Sequence, residues 1–327
     1  MNNLSKQNWH PSASIETLRQ RAQMIQQIRQ FFALKDVLEV ETPALSHATI
    51  TDLHLHTFKT TFNNPLSPTA STMYLQTSPE YAMKRLLCAG SGAIFQICKA
   101  FRNEEAGSKH NPEFSMLEWY QPAYDHFQLM AEMDELLQVI VSCEAADKIS
   151  YQNVFKQYLD CDPLIASLDD LKKIANEYGY ANIAAQEHDP DILLNLLFSQ
   201  HIEPQIAQSR PCFIYDFPAT QAALARISPA DPRVAERFEV YYKGIELANG
   251  FHELSDPQEQ RQRFETDNLK RRANGLPVMC IDENLLNALS SGLPDCSGVA
   301  MGIDRLLMLA LHKHSIQEVL AFPHTNA

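Results

Sequence analysis

The sequence predicts an α+β protein in which helices pack on an antiparallel β-sheet. Strand candidates at residues 94–104, 114–120 and 237–253 are separated by loops and hairpins rather than by regular crossover helices, which favours antiparallel pairing. Of the 327 residues, 45% are hydrophobic and 20% are charged, which is enough to form a sizeable core. We therefore expect one domain over residues 1–327, with a helical, loop-rich insertion at about residues 145–232.

The N-terminal part of the chain predicts a helix followed by a short strand. Residues 14–32 have helical spacing, and Ser14 is a good N-cap. The expected buried stripe of this helix consists of Leu18, Ile25, Ile28 and Phe32. A strand at residues 37–43 follows and ends at Pro43, because proline cannot donate a hydrogen bond to a neighbouring strand.

Further helices are predicted along the rest of the chain. A Thr-Ser-Pro-Glu turn at residues 77–80 leads into a helix at residues 81–87, and residues 125–143 are also helical in pattern. Near the C-terminus we predict a polar, charged helix at residues 257–274 and a short apolar helix at residues 305–312. These helices would cover the sheet.

Composition excludes several classes of protein. The formal net charge is -13, which argues against a generic nucleic-acid-binding surface but permits a local basic site. The 7 cysteines have scattered spacings and no Cys-x-x-Cys pair, which indicates reduced thiols rather than disulfides or a zinc site. No apolar run approaches the roughly 18 residues that a membrane span needs, and residues 1–11 lack the pattern of a signal peptide. We expect a cytoplasmic protein with no membrane association.

The first candidate site lies at the end of the strand predicted to begin at residue 94. Arg102 and Glu104 are two residues apart and are predicted to project from the same face. A cation beside an anion at this point suits a charged substrate with a polar base. The loop that follows contains His110 and Asn111, which can reach a phosphate group. A surface salt bridge is the alternative for an isolated Arg-x-Glu pair.

The second candidate site is a predicted hairpin over residues 237–253. With a two-residue turn at residues 243–244, Glu239 lies opposite Ala248. Glu239 and Glu246 then become diagonal neighbours on one face, with Cα atoms roughly 7–8 Å apart. Two carboxylates at this separation can hold Mg²⁺ together with substrate phosphates. A solvated face of the hairpin is the alternative.

Three further residues of this hairpin have the opposite parity: Asn249, Phe251 and Glu253. Successive side chains of a strand point to opposite faces, so in a regular strand these residues would face away from Glu246. A β-bulge at Asn249-Gly250 would bring them to the same cleft, and we predict one there.

The third candidate site is the run Ser-Gly-Val-Ala-Met-Gly-Ile-Asp-Arg at residues 297–305, which contains two glycines. Small residues allow a ligand to approach the backbone closely. Arg305 would lie in the first turn of the following helix, where it can cover a base or bind a phosphate. Tight packing without a ligand is the alternative. The chain has no G-x-x-x-x-G-K-[ST], H-E-x-x-H or G-x-S-x-G motif, so an ATP site here is of another kind.

Together and in this order, the stretches resemble the signature motifs of class II aminoacyl-tRNA synthetases. Motif one resembles residues 31–43, motif two resembles residues 101–104 with 110–114, and motif three resembles residues 298–305. The runs Arg-Asn-Glu-Glu, His-Asn-Pro-Glu-Phe and Glu-Leu-Ala-Asn-Gly-Phe-His-Glu-Leu are most similar to lysyl-tRNA synthetase. The resemblance extends over nearly the whole chain and implies the class II catalytic core.

The chain differs from lysyl-tRNA synthetase in two features, and both point to a smaller group of related proteins. Only residues 1–13 precede the motif-one helix, so no anticodon-binding OB-fold domain is expected, and Ala300 replaces the middle glycine of motif three. These features, with the acidic charge, resemble truncated paralogues that act on a protein. The resemblance implies that ATP and (R)-β-lysine form an aminoacyl-adenylate. The acyl group then passes to the ε-amino group of a lysine of elongation factor P.

The resemblance also implies roles for individual residues. Arg102 and Arg305 are the implied catalytic residues: Arg102 would bridge the amino-acid carboxylate and the α-phosphate, and Phe114 and Arg305 would enclose adenine. The implied ATP-binding residues are Arg102, Asn103, Glu104, His110, Asn111, Phe114, Glu246, Leu247, Gly302 and Arg305. Glu239 and Glu246 would hold Mg²⁺. The implied residues for the amino acid, with its two ammonium groups, are Ser78, Pro79, Glu80, Glu118, Tyr120, Asn249, Phe251, Glu253 and Ala300.

Two other functions stay open at this point. One is an enzyme that charges tRNA through its acceptor stem alone or makes α-lysyl adducts, although the acidic charge disfavours tRNA as a partner. The other is a non-catalytic paralogue that binds or regulates a partner, although the motif-two and motif-three arginines are both present. Motif one implies a homodimer. The residues do not decide between α-lysine and β-lysine.

Overall fold

The computed structural model describes residues 9–66 and 69–327, within which there are ten α-helices and eleven β-strands. The helices are α1 (Ile15–Leu34), α2 (Glu80–Cys88), α3 (His126–Val141), α4 (Tyr151–Leu159), α5 (Leu168–Glu177), α6 (Ala181–Gln186), α7 (Pro190–Leu197), α8 (Pro257–Ala273), α9 (Glu283–Gly292) and α10 (Ile303–Ala310). The strands are β1 (Leu38–Glu39), β2 (Leu45–Ser46), β3 (Lys59–Phe62), β4 (Ser71–Leu75), β5 (Ile94–Phe101), β6 (Glu113–Pro122), β7 (Asp147–Ser150), β8 (Cys212–Pro218), β9 (Val234–Tyr242), β10 (Ile245–His252) and β11 (Cys296–Gly302). The predicted α+β class is confirmed.

Eight strands form one large sheet in the order β1-β5-β6-β11-β10-β9-β8-β7. All pairs from β5 through to β8 are antiparallel, as the sequence predicts. The two edge strands differ, because β1 joins β5 and β7 joins β8 in parallel. The sequence did not predict the small second sheet, which has the order β2-β4-β3.

The main core lies between this sheet and helices α1, α3 and α10. Helix α1 begins where predicted, since the Ser14 hydroxyl accepts a hydrogen bond from the Thr17 amide. Ile28 and Phe32 are fully buried, as predicted. Leu18 and Ile25 are only partly buried, and Thr17 and Met24 are the buried residues in those two turns. The strand predicted at residues 37–43 is limited to Leu38–Glu39.

The segment predicted as a helical insertion, residues 145–232, is helical only in its middle. Helices α4 to α7 form a second core with Phe155, Leu193 and Leu197, and this core packs on β8 and β9. Strands β7 and β8 flank these helices and extend the large sheet, so the prediction was wrong at both ends of the segment. No helix in the described part of the chain is both long and apolar enough to cross a membrane.

The hairpin β9–β10 has the predicted two-residue turn. Lys243 and Gly244 both have positive φ, 51° and 68°, which is typical of a type I′ turn. Tyr242 therefore pairs with Ile245, as a two-residue turn at residues 243–244 requires.

The register beyond this turn differs from the prediction. A bulge lies between Glu246 and Ala248, so that Glu239 pairs with Asn249 and not with Ala248. The predicted bulge at Asn249-Gly250 is wrong, because both residues pair regularly with β9 and β11. The bulge at Leu247 nevertheless brings Glu246, Glu239 and Asn249 to one face of the sheet.

Candidate active site

One face of the large sheet forms the floor of a cleft of about 1540 Å³. Most predicted site residues line this cleft: Ser78, Glu80, Arg102, His110, Asn111, Phe114, Glu239, Glu246, Leu247, Asn249, Phe251, Ala300, Gly302 and Arg305. The other predicted residues do not line it: Pro79, Asn103, Glu104, Glu118, Tyr120 and Glu253. Four separate stretches of sequence thus meet at one site: residues 78–80, 102–114, 239–251 and 300–305.

Arg102 follows directly after β5 and presents a positive charge to the cleft. Its backbone amide donates a hydrogen bond to the Pro112 carbonyl, which joins the two ends of the motif-two loop. The guanidinium carbon lies 5.2 Å from the centre of the Phe114 ring, and Nη1 lies 3.8 Å from Glu105. Its Nε atom is buried and has no hydrogen-bond partner. A buried donor without a partner is costly, so this position suits an anionic ligand.

The prediction that Arg102 and Glu104 share a strand face is wrong. Strand β5 ends at Phe101, and Glu104 has a left-handed backbone with φ of 68°. This turn directs the Glu104 carboxylate to solvent, 3.9 Å from His56, and Glu105 lines the cleft instead. His56 also forms a β-bridge with Asn103, which keeps that residue out of the cleft.

Arg305 connects the motif-two loop to β10. It lies in the first turn of α10 and donates a hydrogen bond of 2.8 Å to the Glu246 carbonyl. Its Nη2 atom lies 2.5 Å from His110 Nε2, and its Nε donates to the Lys109 carbonyl at 3.3 Å. Burial and the charge of Arg305 lower the pKa of His110 below 6.5, so its ring is neutral at pH 7 and accepts this bond.

Three carboxylates lie where the cleft meets the hairpin. Glu239 is buried and accepts hydrogen bonds from Arg237 and Tyr241, which engage both of its oxygens. Burial raises the pKa of Glu239, and the charge of Arg237 opposes this effect. Glu246 is more exposed, and its carboxylate lies 3.9 Å from Arg305 Nη1.

The third carboxylate, Glu203, was not among the predicted site residues. It lies directly after the turn of π-helix that follows α7, and it lines the cleft. Burial and the charges of Glu246 and Glu239 raise its pKa. No local motif marks Glu203, because the helical segment brings it to the cleft only through tertiary packing. This group of acids favours a cation that also binds phosphate.

A buried charge cluster closes the other end of the cleft. Lys84 of α2 is only 1% exposed, and its Nζ lies 2.7 Å from Glu80 and 2.6 Å from Glu253. Burial raises the pKa of Glu253 to about 8, although Lys84 acts in the opposite direction. Lys84 was not among the predicted site residues, although its i,i+4 spacing from Glu80 on a helix is a recognisable signal.

Glu118 and Tyr120 lie on one face of β6, as their spacing predicts. The Tyr120 and Ser78 hydroxyls each donate to Glu118 at 2.7 Å. Burial and the charge of Glu80 raise the pKa of Glu118 to about 7. These residues thus lie directly behind the cleft wall and hold Ser78, which faces the cleft.

Strand β11 closes the floor with small residues. Ala300 pairs with Glu118 on β6 and with Asn249 on β10, so its methyl group lies between two predicted substrate-binding residues. Gly298 pairs with Tyr120, and a Cβ atom at this position would lie 2.2 Å from the tyrosine ring. Glycine is therefore required at residue 298 for the strands to approach as they do.

Comparison with known proteins identifies the family. A sequence model of the family described as tRNA synthetases class II (D, K and N) matches residues 8–326. A Klebsiella pneumoniae protein named elongation factor P--(R)-beta-lysine ligase is 59% identical over 314 residues, which are 96% of this chain and 97% of that protein. A protein of the same name from Vibrio cholerae is 57% identical over 324 residues, which are 99% and 100% of the two chains. A third, from Salmonella paratyphi B, is 58% identical over 314 residues, again 96% and 97% of the two chains. The chain therefore belongs to the class II tRNA synthetases, in the group that comprises the D, K and N enzymes.

Proposed function

We propose that this chain activates (R)-β-lysine with ATP and attaches the β-lysyl group to the ε-amino group of a lysine of elongation factor P. Relatives that are 57–59% identical over nearly their full length are named elongation factor P--(R)-beta-lysine ligase. The observation that carries the proposal is the polarity of the cleft. Arg102, whose buried Nε atom has no hydrogen-bond partner, lines one part of the cleft, and Glu80 lines another, with the buried acids Glu118 and Glu253 directly behind it. Such a cleft suits a molecule with an anionic end and two cationic groups.

In the activation step, an oxygen of the β-lysine carboxylate attacks the α-phosphorus of ATP. The bond to the β-phosphate bridging oxygen breaks, and pyrophosphate leaves. Arg102 would neutralise the charge that develops on the α-phosphate oxygens, since its buried Nε has no partner in the protein. No side chain acts as a nucleophile, so catalysis consists of positioning and charge neutralisation.

The nucleotide would lie between motif two and motif three. Phe114 and Arg305 both line the cleft, and Arg305 is held by the Glu246 carbonyl and His110. Mg²⁺ fits the acidic side of this region, where Glu246 has a partly exposed carboxylate and Glu203 lies nearby. When bound, the ion would neutralise the triphosphate charge. Because the carboxylate of Glu246 is more exposed than that of Glu239, which is buried against Arg237, we assign the larger part of metal binding to Glu246.

The ammonium groups of the substrate would bind near Glu80 and Glu118, with Ala300 shaping the floor. In the transfer step, the ε-amine of the acceptor lysine attacks the acyl carbon of the adenylate. An amide bond forms, the acyl–phosphate bond breaks, AMP leaves, and the amine loses a proton. The overall charge of -13 argues against tRNA as the acceptor.

We further propose that the enzyme is a homodimer formed through the motif-one region. Leu34 at the end of α1 is 81% exposed, and Leu38 on β1 is 56% exposed. Both are large apolar side chains that a second copy would cover. Light scattering of the purified protein tests this part of the proposal.

ATP–pyrophosphate exchange tests the activation step, with (R)-β-lysine, L-α-lysine and no amino acid compared. We expect strong exchange with (R)-β-lysine. In a separate reaction with ATP and radiolabelled (R)-β-lysine, we expect the labelled β-lysyl group to become attached to elongation factor P. Glu246→Gln should abolish exchange, whereas Glu283→Gln, on the surface of α9, should not. A preference for L-α-lysine would contradict the substrate assignment and favour tRNA charging or α-lysyl transfer. Absence of exchange with either amino acid would favour a non-catalytic paralogue.

A further inference from the structure

We propose a second metal site, of the zinc class, on the opposite side of the large sheet from the cleft. Across residues 9–66 and 69–327, one group of three potential metal ligands has ligand atoms within 4.8 Å of one another: His126, Glu236 and His252. They come from the first position of α3, from β9 and from β10. Glu236 and His252 have the opposite parity to Glu239 and Asn249, which face the cleft.

All three side chains are almost fully buried, with 4% exposure for His126, 7% for Glu236 and 2% for His252. Both ring nitrogens of His126 are buried and make no hydrogen bond. His126 Nδ1 lies 4.0 Å from Glu236 Oε2, which is too long for a hydrogen bond but leaves room for an ion between them. His252 Nδ1 lies 2.8 Å from the same oxygen.

The outer nitrogen of each histidine faces a carboxylate. His126 Nε2 lies 3.4 Å from Asp216, and His252 Nε2 lies 2.8 Å from Asp295. Histidines that bind metals almost always donate their other ring N–H to such a group, which fixes the tautomer and the ring orientation. His252 Nε2 already forms such a hydrogen bond with Asp295, and Asp216 lies close enough to His126 Nε2 to form one after a small shift, so both Nδ1 atoms face Glu236, where a cation would bind.

The backbone at Asp216 supports this assignment. Asp216 has a left-handed conformation with φ of 57° and lies at a bulge between Tyr215 and Phe217 of β8. A bulge redirects a side chain out of the regular alternation of a strand. Here it directs the carboxylate towards His126.

The donor set selects the class of metal. Two imidazole nitrogens and one carboxylate oxygen suit Zn²⁺, Co²⁺ or Ni²⁺, whereas Mg²⁺ and Ca²⁺ prefer oxygen ligands. Because Zn–N and Zn–O distances are about 2.0–2.2 Å, side-chain shifts of about 1 Å or less would complete the site. Arg226 donates to Glu236 Oε2 and to Asp295. It does not block the site, because a carboxylate has about four lone-pair positions.

A bound ion would join the start of α3 to β9 and β10. His252 directly precedes Glu253, whose carboxylate contacts Lys84 on the other face of the sheet. The metal would thereby hold the end of β10 that carries one wall of the cleft. A salt bridge of His252 with Glu236 and Asp295 is the metal-free explanation, but it leaves the buried nitrogens of His126 without a partner.

Cobalt binding to the full, untagged chain tests the site after dialysis against a chelator. We expect one equivalent of Co²⁺ to produce visible d–d absorption without a thiolate charge-transfer band, and Zn²⁺ to displace it. His126→Gln and His252→Gln should each weaken binding by about 100-fold or more, and Asp216→Asn by about 10–100-fold. Zn²⁺ should raise the Tm of the wild type and leave that of His126→Gln unchanged.

His201→Gln is the matched control, because His201 lies in the helical segment next to Tyr178 and outside the cluster. It should bind Co²⁺ like the wild type. His126→Gln removes no hydrogen bond, so this variant decides the question even if His252→Gln does not fold. Absence of stoichiometric Co²⁺ binding to the wild type would overturn the proposal. So would Co²⁺ affinity that is unchanged in His126→Gln.

Discussion

Replacement of Lys84 by methionine tests whether the buried charge cluster acts as a unit. Lys84 lies between Glu80 and Glu253 at 2.7 and 2.6 Å, and it is almost completely buried. Methionine preserves the length and flexibility of the side chain, so little packing is lost. The change leaves Glu253 buried without its cation.

The decrease in the free energy of unfolding caused by Lys84→Met depends on whether Glu253 is ionised. Burial raises the pKa of Glu253 from 4.5 to about 8 in the folded protein, so its carboxyl group favours folding at low pH. That contribution is lost as the pH rises from 4.5 through the folded-state pKa. Without Lys84 this pKa is higher still, and the free energy of unfolding continues to fall above pH 8, by up to about 1.4 kcal/mol per pH unit.

We therefore expect Lys84→Met to lower the free energy of unfolding by about 1–2 kcal/mol at pH 6, where Glu253 is neutral. At pH 9 the loss should approach the roughly 3–5 kcal/mol of a broken buried ion pair. Urea denaturation at both pH values measures the difference. Lys173→Met is the control, because Lys173 is exposed on α5 and should cost less than about 0.5 kcal/mol.

A double variant separates charge from packing. Lys84→Met with Glu253→Gln removes both charges and should be more stable at pH 9 than Lys84→Met alone, by at least about 1 kcal/mol. A loss that is the same at pH 6 and pH 9 would refute the electrostatic reasoning. Strict additivity of the two single changes would refute it as well.

Three further outcomes are expected. Arg305→Lys should lower kcat/KM for ATP by about 100-fold, as measured by pyrophosphate exchange. A lysine cannot contact the motif-two loop and β10 at the same time, as the guanidinium group does. An unchanged kcat/KM would contradict this. Gly298→Ala should destabilise the protein by about 1–3 kcal/mol in urea. Gly302→Ala should lower the free energy of unfolding by less, because a Cβ atom at residue 302 would contact only Arg305, at 3.7 Å. Equal decreases for the two variants would refute the packing argument. The KM for β-lysine should fall as the pH rises from 6 to 8, because Glu118, whose pKa is raised by burial to about 7, must ionise to attract the ammonium group that binds near it. A flat profile would contradict this role of Glu118.

Local patterns predicted much of the fold. Ser14 marks the start of α1, and residues 243–244 form the predicted turn, because caps and tight turns depend on a few adjacent residues. Strands β7 and β8 were missed within a segment that reads as helical. Strand β8 is placed by pairing with β9, and β7 is placed by pairing with β8, from which helices α4 to α7 separate it in sequence.

The sequence by itself determined the family motifs, the two arginines Arg102 and Arg305, and the turn that joins β9 to β10. Only the tertiary structure decided which neighbours these residues meet. A one-residue bulge at Leu247 changes the face of every later side chain in β10, and a left-handed turn at Glu104 brings Glu105 to the cleft instead. The spacing of residues fixes faces within one element, whereas the register between elements depends on packing across the whole sheet.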